Sequence, residues 1–126
     1  MKENIGYKLS TSENEGIIEI VITGELTKYT LDELHAEVIT FIRESKAKAV
    51  LCDVRFSKGP NEIIEAYFRA RSIPADVRIL PAAVVDRPEK WDYTSFYETT
   101  ATNAGQQIKW FTDIESARAW LKSRFS

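Results

Sequence analysis

The stretch "IKWFTDIESARAWLKS", residues 108–123, contains the clearest structural pattern of the chain. Residues 107–111 predict a strand, and Thr112 to Glu115 match a capping box, in which two side chains satisfy the free amides at a helix start. The helix that follows places a set of apolar side chains in one narrow sector: Ile114, Ala117, Leu121 and Phe125, with Trp120 on the flank. This sector predicts a seam packed against a sheet; a ligand-facing position for Trp120 is the alternative.

Short apolar runs alternate with helical patterns along the rest of the chain. A polar loop with a glycine, "SENEG", joins the first two strand patterns and predicts an antiparallel hairpin. Thr30 and Glu33 match a further capping box, at the start of the first helix. The predicted strands are residues 7–11, 16–23, 49–52, 79–85 (with the hydrogen-bonded part mainly 82–85) and 107–111, and the predicted helices begin near residues 31, 60, 91 and 113.

This alternation predicts the fold class. Strands separated by helices imply parallel neighbours joined by right-handed crossovers. We therefore predict an α/β fold in the order β-β-α-β-α-β-α-β-α, with a mostly parallel central sheet of about five strands, an antiparallel N-terminal hairpin strand and four helices. With no linker or repeat in the sequence, residues 1–126 are predicted to form one domain.

The composition limits the class of protein. At 126 residues, 44% hydrophobic and 29% charged, the chain has the size and balance of one soluble domain. Its 17 basic and 19 acidic side chains give a net charge of −2, which offers no general attraction for nucleic acid. No apolar run approaches the roughly 20 residues that cross a bilayer, and the start lacks a signal-peptide pattern, so we expect no membrane insertion and a cytoplasmic location. The single cysteine, Cys52, fits a reducing compartment.

Several elements of the C-terminal half resemble one known family. They are Phe96, the run Asn103-Ala104-Gly105, the strand at 108–111, and Ala117 with Trp120-Leu121. This pattern resembles that of bacterial STAS-like proteins, small single-domain relatives of the sporulation anti-anti-sigma factor. The resemblance implies a STAS-type fold that works by binding a protein partner or a second copy of itself, often as a homodimer, and not by catalysis.

The resemblance has a second branch and one departure. The chain is also similar to CRAL-TRIO lipid-transfer domains, which implies a carrier or sensor of a small apolar or amphipathic, lipid-like ligand as the alternative function. Regulatory STAS proteins carry a phosphorylatable serine in an Asp-Ser-Ser-Gly motif after the third strand. Here residues 53–62 read "DVRFSKGPNE", so the motif is absent and the nearby Ser57 is the phosphoacceptor that the resemblance leaves.

Polar side chains follow each predicted parallel strand. Ligands of open α/β sheets bind beyond the carboxyl ends of the strands, so these residues form a candidate ligand or partner site. They are Gly24 and Glu25, Asp53 and Arg55, Asp86 and Arg87, and Thr112 and Asp113. Asp53 and Asp86 could form an acid/base pair, but neighbouring arginines favour their ionised forms. We expect salt bridging or loop capping here; an anion or polar-ligand site that uses the arginines is the alternative.

Four aromatic residues lie close together in the segment 86–98, "DRPEKWDYTSFYE". They are Trp91, Tyr93, Phe96 and Tyr97. Because four aromatic side chains cannot all face inward on one short helix, we expect one or two of them to line a surface or a cavity. Trp91 and Tyr93 therefore join the candidate partner site, and half-buried packing of the segment is the alternative.

No motif of the chain predicts catalysis. Gly-x-Ser-x-Gly and the glycine-rich phosphate loops are missing, and the five glycines occur singly. His35 is the only histidine and Cys52 the only cysteine, so spacing assembles neither a zinc cluster nor a Cys-His pair. We therefore predict a protein that is not an enzyme, with no catalytic residues, no metal and no cofactor.

Overall fold

The computed structural model describes most of the chain. The described residues are 2–4, 6–58, 73–88, 95, 98–100, 102, 103 and 105–125. The predicted helix that begins near residue 60 lies outside them, as do Trp91, Tyr93, Phe96 and Tyr97 of the aromatic segment. Residues 95, 98–100, 102 and 103, within the third predicted helix, are helical.

The described strands form one mixed sheet, in which spatial order follows chain order. The strands are β1 (Lys2–Asn4), β2 (Tyr7–Asn14), β3 (Ile17–Glu25), β4 (Ala49–Lys58), β5 (Ala82–Val85) and β6 (Ile108–Phe111). Strand β2 pairs antiparallel with both β1 and β3, and β3 to β6 pair in parallel. The predicted mostly parallel sheet and its N-terminal hairpin are confirmed, and the short β1 is an addition that the sequence pattern did not indicate.

Two cores lie on opposite faces of this sheet. Alternation along β3 sends Ile18, Ile20 and Ile22 to one face and Ile17 to the other, as expected for a central strand that is apolar on both sides. Buried residues on the first face are Tyr7, Leu9, Ile18, Ile20, Ile22, Leu34, Ile42, Val50 and Val77. Buried residues on the second face are Ile17, Ala49, Leu51, Ala83, Val85, Ala117 and Leu121.

The first core is covered by helix α1 (Lys28–Glu44), whose start differs from the prediction. The capping box is formed by Thr27 and Thr30, not by Thr30 and Glu33. The Thr27 amide donates to Thr30 Oγ1 at 2.7 Å, and the Thr30 amide donates to Thr27 Oγ1 at 3.2 Å. At the third helical position, the Thr30 hydroxyl accepts from the N-cap amide, a bond that a glutamate carboxylate usually makes. The helix begins three residues earlier than predicted.

The short helix α2 (Ala75–Arg78) precedes β5, and its buried side chain is Val77. Its Asp76 carboxylate receives hydrogen bonds from Arg43 of α1 at 2.8 and 2.9 Å. Both side chains of this ion pair are at least half exposed, so solvent screens the attraction and the pair fixes orientation more than it adds stability. None of the helices in the described ranges combines the length and the apolar character that spanning a membrane requires.

The second core is covered by the last helix, α3 (Ile114–Phe125). Ala117 and Leu121 are completely buried, which confirms the predicted seam. Trp120 packs on the flank of that seam, with its ring centroid 5.9 Å from that of Phe111. The helix cap is Asp113 and not Thr112, because Asp113 Oδ2 accepts from the Ser116 amide at 2.8 Å. This hydrogen bond lowers the pKa of Asp113 below its ordinary value.

Two glycines let the strand ends of the hairpin approach closely. Gly24 has a φ of +100°, and a Cβ atom there would lie 2.3 Å from the carbonyl oxygen of Gly6. The same carbonyl oxygen accepts from the Glu25 amide at 2.5 Å, so the two backbones are held together at this point. Any side chain at position 24 would have to separate β2 from β3.

The substitution Gly24→Ala should be far more destabilising than Gly105→Ala. Both glycines have positive φ, +100° and +95°, but a Cβ at Gly105 meets nothing within 4 Å. We expect a loss of about 1–2 kcal/mol in the free energy of unfolding at position 105, from backbone strain alone, and roughly 3 kcal/mol or more at position 24, where overpacking adds to the strain. Urea denaturation of both variants measures this, and equal losses would contradict the close approach.

Candidate functional site

The register of the parallel strands places several of the predicted site residues along one end of the sheet. Asp53 of β4 pairs with Val21 of β3 on one side and with Val85 of β5 on the other. Val85 in turn pairs with Phe111 of β6. The residues that follow β5 and β6 therefore lie close to the level of Asp53. We call the following set the carboxyl-end rim: Asp53, Arg55, Phe56, Ser57, Asp86, Arg87 and Asp113.

Strand β4 is longer than predicted, which changes the shape of the rim. It continues past Asp53 to Lys58 alongside β3, whereas its pairing with β5 ends at Asp53. Asp53 and Arg55 thus lie inside the strand rather than after it. Glu25 pairs with Lys58 at the far end of this extension. Because Glu25 is four residues beyond Val21 along β3, it lies about 13 Å from the level of Asp53 at 3.3 Å per residue. It is next to Gly24, which pairs with Ser57, so it lies at the Ser57 end of the rim.

A β-bulge interrupts the extension and turns one aromatic residue outward. Val21 pairs with Asp53 but Thr23 pairs with Phe56, so β4 has one residue more than β3 between these pairs. Without the bulge, the Phe56 side chain would point to the same face of the sheet as Cys52 and Val54, which pack against the first core. With it, Phe56 is 62% exposed. Sequence analysis did not single out Phe56, because it ended this strand at residue 52 and so gave no strand position to residue 56.

Asp53 and Arg55 form the tightest ion pair of the rim. Asp53 is only 3% exposed. Its carboxylate accepts from Arg55 Nε at 3.0 Å, from Arg55 Nη2 at 2.8 Å and from the Arg55 amide at 3.2 Å. These hydrogen bonds raise the pKa of Arg55 above its ordinary value, and the charges of Asp53 and Asp113 add to the effect. The guanidinium is therefore held in place, and it stacks over the Phe56 ring with 5.2 Å between guanidinium carbon and ring centroid.

Asp86 and Arg87 join the end of β5 to the extension of β4. Asp86 is 8% exposed, and its Oδ1 accepts from the Arg87 amide at 2.7 Å. Arg87 Nη2 donates to the carbonyl oxygen of Ser57 at 3.2 Å, across a gap where β4 continues and β5 has ended. The bond from the Arg87 amide to Asp86 is loop capping of the predicted kind, and the salt bridge of the rim is that between Asp53 and Arg55. An acid/base pair of Asp53 and Asp86 has no support in these contacts, because the Asp53 carboxylate accepts from the Arg55 guanidinium and the Asp86 carboxylate accepts from the Arg87 amide.

Two polar side chains of β4 are poorly placed for chemistry. Ser57 is 9% exposed, and its hydroxyl donates to the Val54 carbonyl oxygen at 2.9 Å. A kinase would have to open the β3–β4 ladder to reach it, so this geometry disfavours Ser57 as a phosphoacceptor.

Desolvation, together with the charge of Asp53, raises the pKa of the Cys52 thiol to about 12. Within the described ranges, no group of three or more histidine, cysteine or acidic residues could hold a metal ion.

The predicted aromatic part of the site is not placed by the structure. Trp91 and Tyr93 lie outside the described residues, and their role stays a prediction. The described part of the site thus consists of paired charges, the exposed Phe56 ring and the guanidinium above it.

The fold described above is the SpoIIAA-like, or STAS-type, fold that the sequence pattern predicted. The chain is similar to the crystal structure of an anti-sigma factor antagonist from Mycobacterium paratuberculosis, with a TM-score of 0.65, 11% sequence identity, and coverage of 97% of this chain and 99% of that chain. It is also similar to an uncharacterized protein with a SpoIIAA-like fold from Shewanella loihica PV-4, with a TM-score of 0.59, 14% identity, and coverage of 96% and 98%. No protein-family model and no curated protein sequence matches the chain.

Replacing Asp53 by asparagine should destabilise the protein. The amide keeps one acceptor oxygen but loses the charge, and leaves the Arg55 guanidinium without its anionic partner. We expect a loss of roughly 1–3 kcal/mol in the free energy of unfolding, below the value for a fully buried pair because Arg55 is partly solvated. Asp76→Asn, which disrupts the exposed pair with Arg43, is the matched control and should have little effect. If urea denaturation gave equal losses in the free energy of unfolding for the two variants, the burial of Asp53 would not add to the stability of its ion pair.

The thiol of Cys52 should be nearly inert in the folded protein. At pH 8 a thiol with a pKa of about 12 is almost entirely protonated. We expect its reaction with a disulfide reagent to be at least roughly a hundredfold slower than in the urea-unfolded chain, since only the thiolate attacks. The rate should also rise about tenfold per pH unit between pH 7 and 9. A native rate that equals the unfolded rate would contradict the raised pKa.

Proposed function

We propose that this protein is a non-enzymatic regulatory module that binds another protein through the carboxyl-end rim, with Phe56 and Arg55 at the centre of the contact. The observation that carries the proposal is the exposure of Phe56 on a paired strand, directly beneath a fixed guanidinium. A large aromatic side chain that is 62% exposed is not needed by either core of the sheet.

The chemistry of this pair suits a protein interface. Aromatic residues and arginine are enriched at interfaces and among the residues that dominate binding energy. Arg55 is already oriented by Asp53, so binding would order few additional side-chain torsions. The cation–π contact between Arg55 and Phe56 would also strengthen when a partner excludes water from it.

The structural comparisons support the regulatory part of this proposal. One similar structure is an anti-sigma factor antagonist, a name that describes action on another protein. For this chain, we propose a protein partner or a second copy of the chain, in a cytoplasmic setting. Trp91, Tyr93 and Glu25 stay predicted contributors to the contact, and the homodimer stays a prediction. No observation within the described residues favours the carrier of a lipid-like ligand, so we propose the binding module alone.

The substitution Phe56→Ala should abolish partner binding without unfolding the protein. We expect at least about a tenfold loss of binding, because truncation of a central aromatic residue commonly costs that much or more. The measurement is affinity capture with the full chain from cells that express it, quantified by mass spectrometry. Light scattering of the same variants tests self-association.

Two further variants serve as controls. Ile79 is 71% exposed and belongs to the turn after α2, so Ile79→Ala removes a comparable apolar group elsewhere. Phe56→Tyr keeps the ring beneath Arg55. A partner captured by wild type, Ile79→Ala and Phe56→Tyr but lost in Phe56→Ala supports the proposal. If Phe56→Ala captures and self-associates like wild type, Phe56 is not part of an interface and the proposal fails.

A further inference from the structure

Strand β6 is the last strand of the described sheet and pairs with β5 on its inner side. The inner backbone groups belong to alternate residues: Gln107 O accepts from the Ala82 amide at 2.8 Å, and Phe111 O accepts from the Asp86 amide at 2.9 Å. Successive residues of a strand point their backbone groups to opposite sides. The amide of Trp110 therefore points away from the sheet.

A side chain from outside the sheet covers that amide. Glu98, twelve residues earlier in the chain, accepts from the Trp110 amide through Oε2 at 2.9 Å. The bond has the length of a regular backbone ladder bond, and its acceptor is a carboxylate, which makes it stronger than a bond to a neutral carbonyl. Glu98 thus occupies the position where the carbonyl oxygen of a further strand would lie.

The residues of β6 favour the addition of a further strand, which the bond from the Trp110 amide to Glu98 would oppose. The strand reads Ile-Lys-Trp-Phe, and three of these four residues are among the best strand formers. An outermost strand of this kind is a template for the addition of a further strand. Lys109, the one charged residue, is exposed and its ammonium lies 5.6 Å from the Phe111 ring centroid, on a face of the sheet and not along its edge.

We propose that Glu98 is an edge cap that prevents β6 from pairing with β6 of a second copy of this chain. The second copy is the occupant to expect, because an antiparallel pair of identical edges related by a two-fold axis is self-complementary. This edge lies apart from the contact proposed for Phe56 and does not depend on it. The substitution Glu98→Ala removes the carboxylate that accepts from the Trp110 amide.

The test compares Glu98→Ala with Glu98→Gln in the full chain by sedimentation equilibrium. Alanine removes the acceptor, whereas glutamine keeps an acceptor oxygen at the same reach and loses only the charge. We expect Glu98→Ala to self-associate at least about tenfold more tightly than wild type, and Glu98→Gln to behave like wild type. Hydrogen exchange at low protein concentration should show faster exchange of the Trp110 amide in Glu98→Ala alone.

Two results would overturn the proposal. The first is a Glu98→Ala variant that keeps both the association state and the Trp110 amide exchange of wild type. The second is a Glu98→Gln variant that associates as strongly as Glu98→Ala, because the effect would then come from charge and not from the capped amide. If Glu98→Ala does not fold, Glu98→Asp provides the same comparison, since it keeps the charge but is one methylene too short to reach the amide.

Discussion

The parallel pairing of β3 with β4 is the constraint on which the rest of the structure depends. Both strands are buried on both faces, as Ile17 and Ile20 show for β3 and Val50 and Leu51 show for β4. β2 pairs with the outer side of β3, and β5 with the outer side of β4. Because both cores share these two strands, a slip of one residue would send each apolar set to the wrong face. The bulge is the one place where this pairing changes phase, and it creates the exposed aromatic side chain of the rim.

The charged side chains of the rim bond to groups of the same chain, and the Phe56 ring is its exposed aromatic group. Buried carboxylates are costly unless they are paired, and both Asp53 and Asp86 accept hydrogen bonds from neighbouring donors. Arg87 ties the β4 extension to the end of β5 through the Ser57 carbonyl. A site arranged in this way has its ionic groups satisfied within the chain, and new binding energy must come from burying the Phe56 ring and the guanidinium that lies over it.

The fold persists at very low sequence identity because it is specified by pattern. The similar anti-sigma factor antagonist shares only 11% of aligned residues with this chain, yet the two superpose with a TM-score of 0.65. Hydrophobic residues of suitable size at the right period are sufficient for such a fold. Function depends on particular side chains at particular sites. For this chain we propose the stacked pair at the bulge and the carboxylate that bonds to the edge of β6.

Local pattern in the sequence determined the order of the elements, the parallel sheet, the hairpin and the seam of α3, because the periods of apolar residues report which face of each element is buried. It also named the three aspartates and both arginines of the rim. Only the tertiary structure decided where β4 ends, that Phe56 is exposed, and that Glu98 covers the Trp110 amide. The reason is physical: a bulge depends on the register of the partner strand, and bonds such as those of Glu98 and Arg87 join residues 12 and 30 positions apart, which no local period can report.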